Sequence, residues 1–298
     1  MKLKLKRFRK WGEIQVLWFA IPAMIPLTVF WILPMFYIIY LSMTDWDLMS
    51  PVKTFVGLEN YTYLFKDPEF YQSLQTTLIF TVGSVIPTMI GGLLLALLLS
   101  SKLAGSGIYR AIIFSPWVTP TVAVSIVWAW IFEPRSGMAN AILSELGMQT
   151  VPWLQNSVWA MVAILIVTIW KGLGWVMVFY LIALQSVPES LREAAHMDGA
   201  GRLTCFFKVT LPLISPTTFF LFIIQTIDSL QAYDQINILT QGGPAGSTRT
   251  VLYLYYQAAF DQFNVGQASA VALLLVVFTA LFSLASMFMS RRSVHYLS

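Results

Sequence analysis

Residues 76–100, TTLIFTVGSVIPTMIGGLLLALLLS, run on without one charged side chain. That length exceeds the roughly 20 apolar residues a helix needs to cross the hydrocarbon core of a bilayer. In lipid every backbone N–H and C=O must find a partner inside the protein, so such a run is a helix unless many short strands close into a barrel. The stretch IGGLLLALLLS lacks the alternation that barrel strands require. The same reading along the chain gives further apolar segments near 17–42, 111–132, 158–184, 211–233 and 267–290. The expected fold is all-α, a polytopic membrane protein of six transmembrane helices occupying residues 17–290.

Composition agrees with that reading. The chain is 57% hydrophobic and 11% charged, against roughly one quarter charged in soluble domains. A single cysteine, Cys205, excludes a disulfide within the chain, and two separated histidines, His196 and His295, do not make a metal-ligand cluster. The formal charge of +4 does not point to nucleic acid, because the basic residues gather at the N-terminus and at segment ends. The start, MKLKLKRFRK, leads into a segment too long for a signal-peptide core and without a small-residue cleavage site, so residues 1–16 read as a retained cytoplasmic N-terminus. Six crossings then place 101–110, 185–210 and the tail 291–298 inside as well. Thirteen of the eighteen Lys and Arg fall in those segments, as the positive-inside rule requires. Lys53, Lys66, Arg135 and Arg249 lie outside, and Lys171 falls within a span. The expected location is the bacterial cytoplasmic (inner) membrane, multi-pass, with both termini in the cytoplasm.

The cytoplasmic segment 185–210 interrupts the apolar pattern with EAAHMDGAGRLTCFFKVTLPL, residues 193–213. Ser186 and Glu189 have the spacing of a capping box, with Pro188 in the first turn, and Leu191, Ala194 and Ala195 form an apolar stripe at helical spacing. Gly199 and Gly201 permit a left-handed turn. Leu203, Phe206, Phe207 and Thr210 repeat the spacing in a second helix, limited by Pro212. Three uses fit a helix-turn-helix here: an amphipathic connection on the membrane surface, a DNA reader, or a docking knob with Glu193 on its rim. The DNA reading is the weakest, since the second helix offers only Arg202 and Lys208.

Glu193, Ala194 and Ala195 followed by Gly199, Val209, Leu211 and Pro212 resemble the EAA loop of permease subunits of binding-protein-dependent ABC importers, where isoleucine is usual at the position of Val209. Residues 55–81, 109–132, 232–260 and 266–270 are similar to the carbohydrate branch of that family, the maltose and glycerol-3-phosphate type. The resemblance implies the type I importer permease (MetI-like) fold. It also implies that Glu193, Ala194, Ala195, Asp198, Gly199, Gly201, Leu211 and Pro212 couple to an ATPase. The implied partners are a second permease subunit in a heterodimer, two copies of the ATPase, an external solute-binding protein and a carbohydrate. No G-x-x-x-x-G-K-[ST] phosphate loop occurs in the chain, so it is expected not to be an enzyme and to hold no cofactor, with ATP and Mg on the partner ATPase.

Polar groups inside a span are costly and mark a path or a packing contact. Lys171 either faces a water-filled path or pairs with carbonyls or a partner carboxylate where Gly172 and Gly174 allow close approach. Gln225, Asp228 and Gln231 cover about a third of a helix circumference at ~100° per residue. With Asp234 they are the candidate substrate contacts, and Trp170, Trp175 and Tyr180 are candidate aromatic neighbours. The stretch TQGGPAGS, residues 240–247, reads as a flexible outer loop. By resemblance, Gly242, Gly243 and Pro244 in it reach toward the binding protein. The same importer carrying glycerol-3-phosphate and, from another class, an ion-coupled secondary carrier using Lys171, Asp228 and Asp234 are the competing readings.

Overall fold

The computed structural model describes residues 18–100 and 105–293. The basic segment 1–16 and the last five residues of the tail lie outside that range. In chain order the elements are α1 (Trp18–Leu41), β1 (Thr44–Asp45), β2 (Thr54–Phe55), α2 (Glu59–Leu64), α3 (Pro68–Ser100), α4 (Ser106–Val118) and α5 (Thr121–Ile131). They continue with α6 (Met138–Glu145), α7 (Ser157–Ser186), α8 (Glu189–Met197), α9 (Arg202–Leu213), α10 (Ser215–Leu230), α11 (Asp234–Leu239), α12 (Val251–Tyr256) and α13 (Val265–Ser293). Helices α1, α3, α7 and α13 are each long and apolar enough to cross a bilayer, and two bent pairs, α4 with α5 and α9 with α10, bring the candidate spans among the described residues to six where each pair counts as one crossing.

The bends correct two expectations of continuous helix. Residues 111–132 are not one helix: α4 and α5 meet at 98°. The cause is local. Pro120 disfavours helical backbone in the residue before it, and Thr119 accordingly sits extended at φ −74°, ψ 136°. The fifth apolar segment also begins elsewhere than at 211. Helix α9 runs from Arg202 through a π turn at Phe206–Thr210 and past Pro212 to Leu213, so Pro212 does not limit it. The chain then bends by 65° and continues as α10, which ends at Leu230 with Gln231 as its C-cap.

The chain falls into two units. The first comprises the segment up to Leu64 together with Gln257–Leu274. Here α1 leads into the short antiparallel pair β1–β2, with Thr44 opposite Phe55. The buried Asn60 amide donates to the carbonyls of Ser42 and Thr44, and the Val265 N–H donates to the Trp46 carbonyl. Gly266 has no room for a side chain, since a Cβ there would collide with the Thr44 carbonyl.

The second unit comprises Phe65–Tyr256 with the segment from Leu275 on. Its axis is α3 against α7. Small residues let these backbones approach: a Cβ on Gly92 would meet Val176, one on Gly91 would meet Leu173, and one on Gly172 would lie 3.0 Å from Thr88 Cγ2. On the other side of α7, a Cβ on Gly174 would strike the Ile113 carbonyl and Phe114 Cα of α4. Two apolar clusters fill the unit, one around Phe80, Ile164, Val167 and Ile236, the other around Ala96, Val176, Met177, Tyr180 and Leu221.

Candidate functional site

A cavity of about 490 Å³ opens in the second unit where α3, α7, α10 and the α4–α5 bend converge. All five polar residues singled out within or beside the spans line it: Lys171 from the middle of α7, Gln225 and Asp228 from α10, Gln231 at its C-cap, and Asp234 at the start of α11. Asp228, Gln231 and Asp234 are exposed, and Gln225 Nε2 is buried without a hydrogen-bond partner.

Lys171 lines the cavity and also meets a carbonyl. Its Nζ donates to the Trp117 carbonyl at 3.1 Å while lying 5.3 Å from the centroid of the Trp117 ring. Trp117 belongs to the last turn of α4, whose carbonyls have no intrahelical N–H to accept from and carry the negative end of the helix dipole. The bend created by Pro120 therefore makes the acceptor that holds the ammonium.

The aromatic neighbours differ from the expected ones. Trp170 and Trp175 do not line the cavity, and Tyr180 is core at 1% exposure. Trp175 instead stacks on Trp117 at 5.3 Å between centroids. Trp117 and Tyr233 supply the cavity's aromatic surface, and the fully buried Phe80 packs at its wall. Phe80 and Trp117 lie in segments where aromatics are common, and nothing in their spacing distinguishes a cavity wall from a packing face.

The EAA segment folds as helix α8, a turn, and helix α9. Ser186 is not its N-cap: it ends α7 with its hydroxyl on the Ala183 carbonyl, and Pro188 takes the N-cap position of α8 without a side-chain cap. Only Gly199 is left-handed, at φ +83°, while Gly201 is extended at φ −67°, ψ 167°. Arg192 donates to the Leu184 carbonyl at 2.8 Å, tying α8 to the end of α7. Glu193, Ala194, Asp198, Gly199 and Gly201 are exposed, and Ala195 is half-buried. Met197, Leu203 and Phe207, exposed by 88%, 75% and 60%, add a large uncovered apolar surface. Leu211 and Pro212 are half-buried and sit apart, in the last turn of α9 just before the bend into α10.

The loop 240–247 is not a free loop. The Thr240 and Thr248 hydroxyls bond at 2.7 Å, the Thr248 hydroxyl donates to the Gly243 carbonyl at 2.8 Å, and Gln72 donates to the Ala245 carbonyl. Arg249 forms an ion pair with Glu69 of α3. Gly242 is buried, with φ +77° and no space for a Cβ beside Tyr253; Gly243 and Pro244 are half-buried, and Gln241 and Ala245 are the exposed residues.

Residues 88–295 match the family described as the inner membrane component of binding-protein-dependent transport systems. The chain belongs to this family. It is 36% identical over 285 residues to the trehalose/maltose transport system permease protein MalF of Thermococcus litoralis, with 94% of each chain covered. It is 32% identical over 277 residues to the sulfoquinovosyl glycerol transport system permease protein SmoG of Agrobacterium fabrum, covering 91% of this chain and 90% of that one. Its fold matches a crystal structure of a bacterial ABC transporter involved in import of the acidic polysaccharide alginate, with TM-score 0.81, 25% identity, and 95% and 99% coverage. The permease is thus a multi-pass, mostly helical transport component of an ABC importer. Its family is not an enzyme family, and the ion-coupled carrier reading falls away.

Proposed function

We propose that this permease forms one side of the path by which a sugar or oligosaccharide crosses the cytoplasmic membrane, delivered by an external solute-binding protein. A second permease subunit completes the path, and two copies of a separate ABC ATPase, holding ATP and Mg, drive it. The observation that carries this reading is the convergence of Lys171, Gln225, Asp228, Gln231 and Asp234 on one cavity. Amide and carboxylate groups beside aromatic faces are what sugar hydroxyls and ring faces bind. The trehalose/maltose, sulfoquinovosyl glycerol and alginate transport named for the similar proteins supports a carbohydrate.

The α8–α9 knob is the proposed ATPase contact. Its exposed Met197, Leu203 and Phe207 and the acidic Glu193 offer an apolar face with a charged rim. Gln241 and Ala245, at the exposed edge of the 240–247 loop beside Gly243 and Pro244, face the binding protein. Both termini lie in the cytoplasm, so reporters fused after residues 50, 145 and 245 read outside.

The test is uptake and ATPase retention in the assembled importer. Gly199→Pro, which cannot adopt φ +83°, and Glu193→Ala should leave membrane insertion intact, weaken co-purification of the ATPase and abolish uptake. Normal uptake with both substitutions removes the coupling role.

A further inference from the structure

On this chain's side of the cavity the charge is set by three side chains. Lys171, Asp228 and Asp234 carry formal charge there, one positive and two negative. The single cation among them donates one hydrogen bond to the Trp117 carbonyl and lies over the Trp117 ring. The Asp228 carboxylate meets no cation or hydrogen-bond donor among the described residues, yet faces the open space. What a solute meets besides Lys171 is a carboxylate acceptor and neutral amides, of which Gln231 is exposed.

Each of these groups suits a hydroxyl. A sugar O–H donates to Asp228, and a neighbouring hydroxyl oxygen accepts from the exposed Gln231 amide. A solute carboxylate or phosphate has no O–H to give Asp228, and on this chain it meets one cation, Lys171, set against two carboxylates, Asp228 and Asp234. It adds a further negative charge beside side chains of this chain that already carry a negative excess, and like charges repel.

We infer that the cavity selects uncharged sugars and rejects sugars that bear a carboxylate or phosphate. This rests on the proposed role of the cavity as a sugar path. Glycerol-3-phosphate is accordingly a poor solute for this chain, and a protonated amino sugar a tolerated one.

The test is saturation-transfer NMR on the purified permease–ATPase complex without binding protein, its nucleotide sites filled with ADP. The probes are methyl glycosides and the corresponding methyl uronides of the gluco, galacto and manno series, each pair differing only at C6. At least one neutral probe should show transfer, with its uronide weaker by about ten-fold or more, the scale of one uncompensated charge contact. Asp228→Asn with Asp234→Asn should bring the pair to within about two-fold, and Asp228→Asn alone should narrow the gap if the double variant does not assemble. Equal transfer from a uronide and its neutral partner in the unaltered complex overturns the charge selection while leaving the sugar path standing. No transfer from any probe, charged or neutral, overturns the sugar path itself.

Discussion

Helices α1 and α7 are both long, both apolar and nearly equal in hydropathy, yet 6% of the one and 39% of the other is buried. Part of the difference lies in where small residues sit. Helix α1 carries Phe19, Phe30, Trp31 and Phe36 outward, and Leu41 at its end is buried. Helix α7 places Ala160, Ala163, Gly172 and Gly174 inward, and at Gly174 the backbone of α4 occupies the space a side chain would take. Hydropathy measures what lipid accepts. In a bilayer the neighbours of a helix are decided by how closely backbones approach and by which polar groups need partners.

Equal substitutions on the two helices should therefore have very unequal effects. Gly174→Val is expected to cost about 3 kcal/mol, because its side chain meets the Ile113 carbonyl and Phe114 Cα rather than a movable side chain. The readout is loss of monodisperse importer on size exclusion. Unchanged yield and melting temperature would show that α4 and α7 do not approach as described.

At the polar end of the comparison, Asp228→Leu should assemble normally and lower uptake by about ten-fold or more, whereas Asp228→Asn keeps its volume and retains partial uptake. Normal uptake by the Leu variant means that the residue contacts no solute, and failure of both variants to assemble makes it a structural partner of another subunit.

A milder steric test is Gly172→Ala, whose new methyl lies 3.0 Å from Thr88 Cγ2. We expect a loss of about 1 kcal/mol in thermal stability, relieved when Thr88→Ser removes the opposing methyl. Absence of rescue would place the strain elsewhere. The smallest effect belongs to α1: Trp31→Leu, at an exposed position, should change stability by less than about 0.5 kcal/mol. A large loss there would reveal that α1 is covered by another subunit in the assembled importer.

Much of the site was legible because several of its residues break a local rule. Lys171 and Asp228 stand out within apolar runs, Gly199 follows a short amphipathic helix, and the EAA spacing is carried by residues within a single segment. Ser186 misled because a capping-box spacing was present while α7 simply ran on to include it. The loop 240–247 reads as flexible from its glycines and proline, but Thr240, Thr248, Gln72 and the Arg249–Glu69 pair supply the bonds that hold it, two of them from α3 far back in the chain. Phe80, Trp117 and Tyr233 gave no signal because an aromatic wall and an aromatic core look alike in one dimension.

The amino-acid order by itself determined the all-α membrane class, the approximate places of the six apolar segments and the family, since each depends on hydrophobic run length, charge distribution or local motif spacing. Tertiary structure alone decided how the groups within and between those segments meet. Pro120 is visible in the sequence, but that the α4 carbonyl beside it would take up Lys171, fifty-four positions later, depends on Gly174 bringing α7 against α4. The cavity exists only because residues from α3, α7 and α10 converge there, and convergence is a property of distance in space that hydropathy along a chain does not encode.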